Sequence, residues 1–245
     1  MIQQFEEISL NAWPALQTIH YDGWIIRFAE GVTKRSNSVN PIYNSSLEIE
    51  SKIDFCEKLY YSRSLPACFK ITEIVKPSDL DEILDARGYT HDFDVSVQMM
   101  NIEKLNDVVD ENVEISETMD VKWLDGYVRM NERDLADKPV LKKIIEQIIL
   151  PKGLLTFKIN GQVIGCGLGV IEDKYIGLFD IVIDKEYRNQ GFGKTMVENI
   201  LKWGRGMGAE IGYLQVLKNN GSAIRLYEKV GFKEEYKYWY RIKKF

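Results

Sequence analysis

The eight residues Arg188-Asn189-Gln190-Gly191-Phe192-Gly193-Lys194-Thr195 constrain this chain more than any other stretch. An apolar, strand-like run from Ile176 to Ile183 precedes them, and a segment with helical apolar spacing follows. Glycines without a Cβ let backbone N–H groups approach a ligand closely. A helix opening here offers unpaired N–H groups and the positive end of its dipole. The expectation is a cradle for a phosphate-bearing molecule.

Three patterns compete for these residues. The nucleotide-binding pattern G-x-x-x-x-G-K-S/T needs glycine where Arg188 stands. The dinucleotide pattern G-x-G-x-x-G needs its third glycine where Met196 stands, which spoils the close helix–strand contact. The pattern R/Q-x-x-G-x-G/A fits without exception. A second motif lies downstream: Asn220 to Phe232 reads N-x-x-A-x-x-x-Y-x-x-x-G-F and follows a strand-like run, Ile211 to Leu217. In the content, order and spacing of these motifs, the chain from about Val113 to Phe245 resembles the GNAT acetyltransferases. The resemblance implies an α/β fold with a mixed sheet, the acyl-CoA N-acyltransferase fold, and acetyl-CoA as co-substrate without a metal. It says little about the acceptor.

Carried over residue by residue, the resemblance implies these roles. Backbone groups of Ile181, Val182 and Ile183 pair with the pantetheine arm like an added strand. Arg188, Asn189, Gln190, Gly191, Phe192, Gly193 and Lys194 hold the pyrophosphate, mainly through N–H groups. Asn220 contacts the pantetheine arm, unless it only forms an Asx turn. Tyr227 is the general acid: a phenol near pKa 10 can protonate a thiolate near 8.5 as it leaves. The general base is open between Asp180 and Glu172, with Asp180 the better placed. The implied function is direct acetyl transfer to a primary amine, small-molecule or peptide. The alternatives are a non-catalytic acyl-CoA sensor and a nucleotide hydrolase.

Composition narrows the remaining classes. The 245 residues suit two small domains, and 45% hydrophobic content suits a buried core. No apolar run is long enough to span a bilayer, and the start, MIQQFEEISL, lacks the basic and apolar regions of a signal peptide. Cys56, Cys68 and Cys166 have no metal-like spacing, and His20 and His91 are isolated. A reduced, cytoplasmic protein without zinc is expected. Residues 1–110 hold ten Lys/Arg against eighteen Asp/Glu, whereas residues 111–245 hold 22 against 19. The acidic whole argues against nucleic acid, and no membrane partner is expected. The segment from Lys185 to Gly208 has five basic residues against two acidic ones, which suits a polyanionic coenzyme or a solvated helix face.

Organisation follows from periodicity and punctuation. Two domains are expected, at 1–105 and 112–245, with the polar stretch Asn101 to Asn112 as linker. In the second, Val113–Ile115 reads as a strand and Asp120 as the cap of a helix through Met130. A helix over Val140–Ile149 follows Pro139 and stops before Pro151. Asn160-Gly161 joins two strands in a hairpin, and Tyr175–Ile183 is the next strand. Gly193 to about Gly206 is the phosphate-facing helix. Ile211–Leu217, Ser222–Lys229 and Lys233–Ile242 then read as strand, helix and strand. The first half carries an echo of the second: laid over Ile224–Arg241, Asp79–Gln98 brings Arg87-Gly88-Tyr89 onto Val230-Gly231-Phe232 and Leu84 onto Tyr227. With no R-x-x-G-x-G before residue 111, the expectation is a diverged, cofactor-free GNAT-like first domain. Trp24–Phe28 reads as a strand there. Arg27, Lys34, Arg35 and Asn37 cluster after it and could line an acceptor pocket or simply face solvent.

Overall fold

The computed structural model describes residues 1–103, 105 and 111–244. Half of the expected linker, at 104 and 106–110, and the terminal Phe245 lie outside the described residues. The chain forms two compact units. The first comprises Met1–Ser96, Leu217–Asn219 and Tyr236–Phe245; the second comprises Val97–Val216 and Asn220–Glu235.

In chain order the first unit runs α1 (Ile2–Ala12), β1 (Gln17–Tyr21), β2 (Trp24–Phe28), β3 (Val39–Pro41), α2 (Ile49–Tyr61), β4 (Ala67–Thr72), α3 (Leu80–Ala86) and β5 (Thr90–His91). β6 (Val95–Asn101) leads into the second unit. There follow β7 (Val113–Ser116), α4 (Val121–Met130), α5 (Lys138–Glu146), β8 (Lys152–Ile159), β9 (Gln162–Glu172) and β10 (Tyr175–Ile183). The chain ends with α6 (Phe192–Gly206), β11 (Ile211–Leu217), α7 (Gly221–Val230) and β12 (Lys233–Lys243). The first unit's strands lie in the order β1-β2-β3-β4-β12, with β5 also on β12; the second's lie β6-β11-β10-β9-β8-β7. Tyr238–Lys243 of the last strand falls in the first unit and pairs there antiparallel with Ala67–Thr72.

Local chemistry explains the second unit's elements. Asp120 caps α4, its Oδ1 accepting from the Lys122 N–H at 3.0 Å. Asn160 and Gly161, at φ 51° and 79°, make the tight left-handed turn that joins β8 to β9. α5 ends at Glu146, three residues before the expected Ile149. Ile148 still packs inward, but Ile149 is almost wholly exposed, so nothing apolar rewards another turn.

α6 buries Met196, Val197, Ile200 and Leu201 against the sheet. Each such side chain contributes about 1.5–3 kcal/mol relative to exposure. The helix lies close because β9 presents Gly165, Gly167 and Gly169 on one face. A Cβ at Gly165 would sit 2.6 Å from Met196 Sδ and 2.7 Å from Ile183 Cδ1. Cβ atoms at Gly167 and Gly169 would lie 3.0 Å from Ile200. Cys166, between them, points the other way and donates to the Trp123 carbonyl of α4 at 3.5 Å. So α6 and α4 cover opposite faces of the second unit's sheet.

The echo between the halves is present in hydrogen bonds. After α3, Gly88 takes φ 82° and the Tyr89 N–H donates to the Leu84 carbonyl at 3.0 Å. After α7, Gly231 takes φ 118° and the Phe232 N–H donates to the Tyr227 carbonyl at 3.0 Å. Both helices end on the same left-handed glycine cap, and Leu84 stands where Tyr227 stands. The first unit has its own core around Trp24, Phe69 and Tyr60. Part of its basic cluster is used internally: the buried Arg27 donates to the carbonyls of Arg35, Leu10 and Trp13, and Asn37 ties Ala29, Gly31 and Thr33.

Gly165→Val should lower the thermal midpoint. The overpacking cost of about 1–3 kcal/mol outweighs a β-propensity gain of at most about 1. An unchanged or raised midpoint in a thermal melt would contradict the close-packing argument.

Candidate active site

β10 and β11 run parallel and are paired only from Tyr175–Ile211 to Leu178–Leu214. Between Phe179 and Val182 the register of β10 on β9 shifts, and Asp180 adopts φ 51°. This bulge bends the strand, as an extra residue in a ladder does. Val182 and Ile183 then resume pairing with Cys166 and Gly165 on one side. On the β11 side Ile181, Val182 and Ile183 have no strand partner, which leaves an open slot between the two parallel strands.

The expected cradle follows directly. Arg188 turns its side chain back, and its Nε donates to the Ile183 carbonyl at 2.9 Å. Asn189 takes φ 62°, and Gly191 caps α6 at φ 92°. Lys194 and Thr195 donate to the Gly191 carbonyl at 2.9 and 3.2 Å. The N–H groups of Asn189, Gln190, Gly191, Phe192 and Gly193 donate to no protein acceptor among the described residues. Gln190 Nε2 donates to the Glu186 carbonyl, and Lys194 Nζ reaches Glu198 at 3.5 Å, so neither side chain closes the cradle. Phe192 anchors the first turn edge-on against Phe157.

The two glycines are required for different reasons. A Cβ at Gly191 would meet nothing within 4 Å, but its φ suits few side chains. A Cβ at Gly193 would sit 2.7 Å from Leu226 Cδ1. That contact brings the start of α6 against α7, the helix that carries Tyr227. Tyr227 is half-buried, edge-on to Phe232 at 6.0 Å, and its hydroxyl has no protein partner among the described residues. Burial pushes its phenol up to about 12.

The other expected residues divide. Asp180 lies at the bulge itself, half-buried. Glu172 pairs in register with Tyr175 at the far end of β10. Five residues of strand, about 17 Å, separate Tyr175 from Asp180. Asp180 thus precedes the unpaired residues Ile181–Ile183 directly, whereas Glu172 lies at a hairpin. Asn220 spends its Oδ1 on capping α7, accepting from the Ala223 N–H and the Ser222 hydroxyl. The three thiols are buried and pushed up to about 12 by that burial. Such thiols are almost wholly protonated near neutral pH and make poor nucleophiles. Among the described residues no group of three metal-ligating side chains assembles, and no helix is long and apolar enough to cross a membrane.

Sequence reasoning missed what fastens the cradle. Arg129 on α4 pairs with Asp184, just past β10, and Glu132 pairs with Lys185. The only available signal was the run of charges on both segments. The corresponding loop of the first unit is closed by its own carboxylates. Asp22 accepts from Ser46, Leu47 and Lys52. Glu48 accepts from the Glu50 and Ser51 N–H groups at the start of α2, which holds its carboxyl below the ordinary value.

This geometry has relatives. A family model described as "Probable histone acetyltransferase Rv0428c C-terminal" matches residues 1–241. The chain belongs to this family of GNAT acetyltransferases. The acetyltransferase is 30% identical over 250 residues to "Uncharacterized N-acetyltransferase YobR" of Bacillus subtilis, covering 99% of each chain. A GCN5-related N-acetyltransferase from Kribbella flavida superposes with TM-score 0.73 at 12% identity, covering 98% of this chain and 95% of that one. A tandem GNAT protein from the clavulanic acid biosynthesis pathway superposes with TM-score 0.65 at 8% identity, covering 97% and 86%. At these identities the solved structures speak for the fold, and they extend it over both units of the acetyltransferase.

Gly191→Asn should weaken coenzyme binding less than Gly191→Val, because asparagine tolerates a left-handed backbone. Gly193→Ala should already weaken it, through Leu226. Titration calorimetry with acetyl-CoA reads both, and equal affinities for the two Gly191 variants would refute the backbone argument.

Proposed function

We propose that this acetyltransferase moves an acetyl group from acetyl-CoA directly to a primary amine. The observation that carries the reading is the row of five unclaimed N–H groups beside an open strand edge, with an unpartnered phenol on the adjoining helix. The helix dipole contributes only about 0.3–1 kcal/mol, so the charge-assisted hydrogen bonds of residues 189–193 supply most of the grip on a diphosphate. Ile181, Val182 and Ile183 offer backbone groups to a pantetheine arm along the slot. Arg188 acts less by contact than by fastening the loop to the end of β10.

Acetyl-CoA supplies the activated thioester. The protein must provide a proton for the departing sulfur and accept one from the amine. A phenol held near 12 stays protonated throughout the working range and can deliver its proton to a thiolate near 8.5. Asp180, at the bulge, is the base, acting directly or through a water. The demand on it depends on the acceptor: deprotonating a lysine-like amine at neutral pH costs about 4.6 kcal/mol, an α-amine only about 1.4. The buried thiols support transfer in one step rather than through a cysteine. The self-capped helix of the first unit supports a single coenzyme site, in the second unit.

A thermal shift with acetyl-CoA but not with ATP–magnesium or NAD is expected, followed by CoA release on an amine panel. Tight binding with no turnover on any amine would point to a sensor instead. Tyr227→Phe should cut kcat by about 10²–10⁴-fold while KM changes little. In the parent protein kcat should not fall as pH rises through the ordinary tyrosine range near 10, because the proton on Tyr227 is held until about 12. An alkaline loss near pH 10 that disappears in Tyr227→Phe would contradict the burial argument.

A further inference from the structure

We propose that Arg133 holds a carboxylate on the acceptor, so the preferred substrate is an amine that also carries a carboxylate. This rests on the acetyl-transfer reading above.

Arg133 follows α4 at a tight reversal. Glu132 takes φ 52°, and the Arg133 N–H donates back to the Val128 carbonyl at 3.1 Å. The surrounding segment is tied to the end of β10. Arg129 pairs with Asp184 and donates to the Val163 carbonyl at 3.1 Å; Glu132 pairs with Lys185. The next residue, Asp134, accepts from the Ala136 N–H. These charges are therefore already committed.

Arg133 is the exception. Its guanidinium lies 5.5 Å from the centre of the Tyr127 ring, which itself stacks on Trp123 at 5.4 Å and 10°. Its Nε is buried and has no hydrogen-bond acceptor, and the group makes no ion pair among the described residues. A buried guanidinium N–H without an acceptor is costly to keep. The planar fork, set beside the aromatic ring, carries the paired donors that a carboxylate meets with two oxygens.

Position decides which anion this serves. The cradle helix α6 and the phenol helix α7 lie on one face of the sheet; α4, with Trp123 and Tyr127, covers the other. A thioester seated in the slot between β10 and β11 has its coenzyme phosphates on the α6 side, where five N–H groups already serve them. The amine must then arrive from the α4 side, past Arg133. The carboxylate can belong to a free amino acid or to a peptide, as a terminal or acidic side-chain group.

The test compares matched amines with the full chain and saturating acetyl-CoA, reading CoA release. Each amino acid is paired with the amine left when its carboxyl group is removed, and each acidic or free-ended peptide with its amidated form. The carboxylate-bearing member should win in kcat/KM by roughly 10- to 100-fold, as for a hydrogen-bonded charge pair. The amino-acid and peptide arms show which source supplies it. Arg133→Gln should collapse that preference by raising the acceptor KM, and Arg133→Lys should restore part of it. Equal rates for paired amines would overturn the proposal, whether or not the variants fold. A rise in the acetyl-CoA KM instead of the acceptor KM would also overturn it, assigning the guanidinium to the coenzyme. A parallel thermal shift separates the two readings: stabilisation by acetyl-CoA with no carboxylate preference sinks only this inference, whereas no stabilisation sinks both.

Discussion

The parallel ladder between β10 and β11 stops at Leu178 and Leu214, and the proposed chemistry depends on that stop. Parallel strands inside a sheet ordinarily pair along their length, because an unpaired buried backbone group costs about as much as a lost hydrogen bond. Here the bulge at Phe179–Val182 turns β10 away while β9 keeps hold of its other edge. The result is an opening in the middle of a sheet, walled by backbone groups that can pair with an extended ligand. The positive φ of Asp180 is the local cost of the bend.

Packing then orients the rest around that opening. Three glycines on β9 let α6 lie close to the sheet, which sets where its N-terminal N–H groups point. Gly193 against Leu226 brings α7, and so Tyr227, to the same place. Arg129–Asp184 and Glu132–Lys185 pin the end of α4 beside the cradle from the other face. These surface pairs are individually worth little, roughly 0–1 kcal/mol, so they matter as locators more than as stabilisers. The two units show the same helix cap put to different uses. Leu84 and Tyr227 occupy one position, but only the second unit has an open glycine cradle before its helix; in the first, Glu48 fills the helix mouth.

Much of this was legible from residues alone. The cradle, the Asn-Gly hairpin, the cap at Asp120, the strand Tyr175–Ile183 and the internal echo each arise within a few residues, where local conformational preference decides. What was misread or missed depends on residues distant in the chain. Nothing in Lys233–Ile242 says that its partner is Ala67–Thr72, because strand pairing is a choice among edges set by the rest of the fold. α5 ended early because Ile149 found no apolar neighbour. The sequence favoured Asp180 over Glu172 without separating them; register puts about five residues of strand between them.

The sequence by itself determined the family, the glycine loop before α6 and the cap at Asp120, since glycine and capping side chains act on their own backbone. The tertiary structure alone decided which strand edge stays open, which carboxylate lies next to it in register and which arginine is left without a partner. Those outcomes are set by register and by which face of the sheet each helix covers, and both depend on long-range packing.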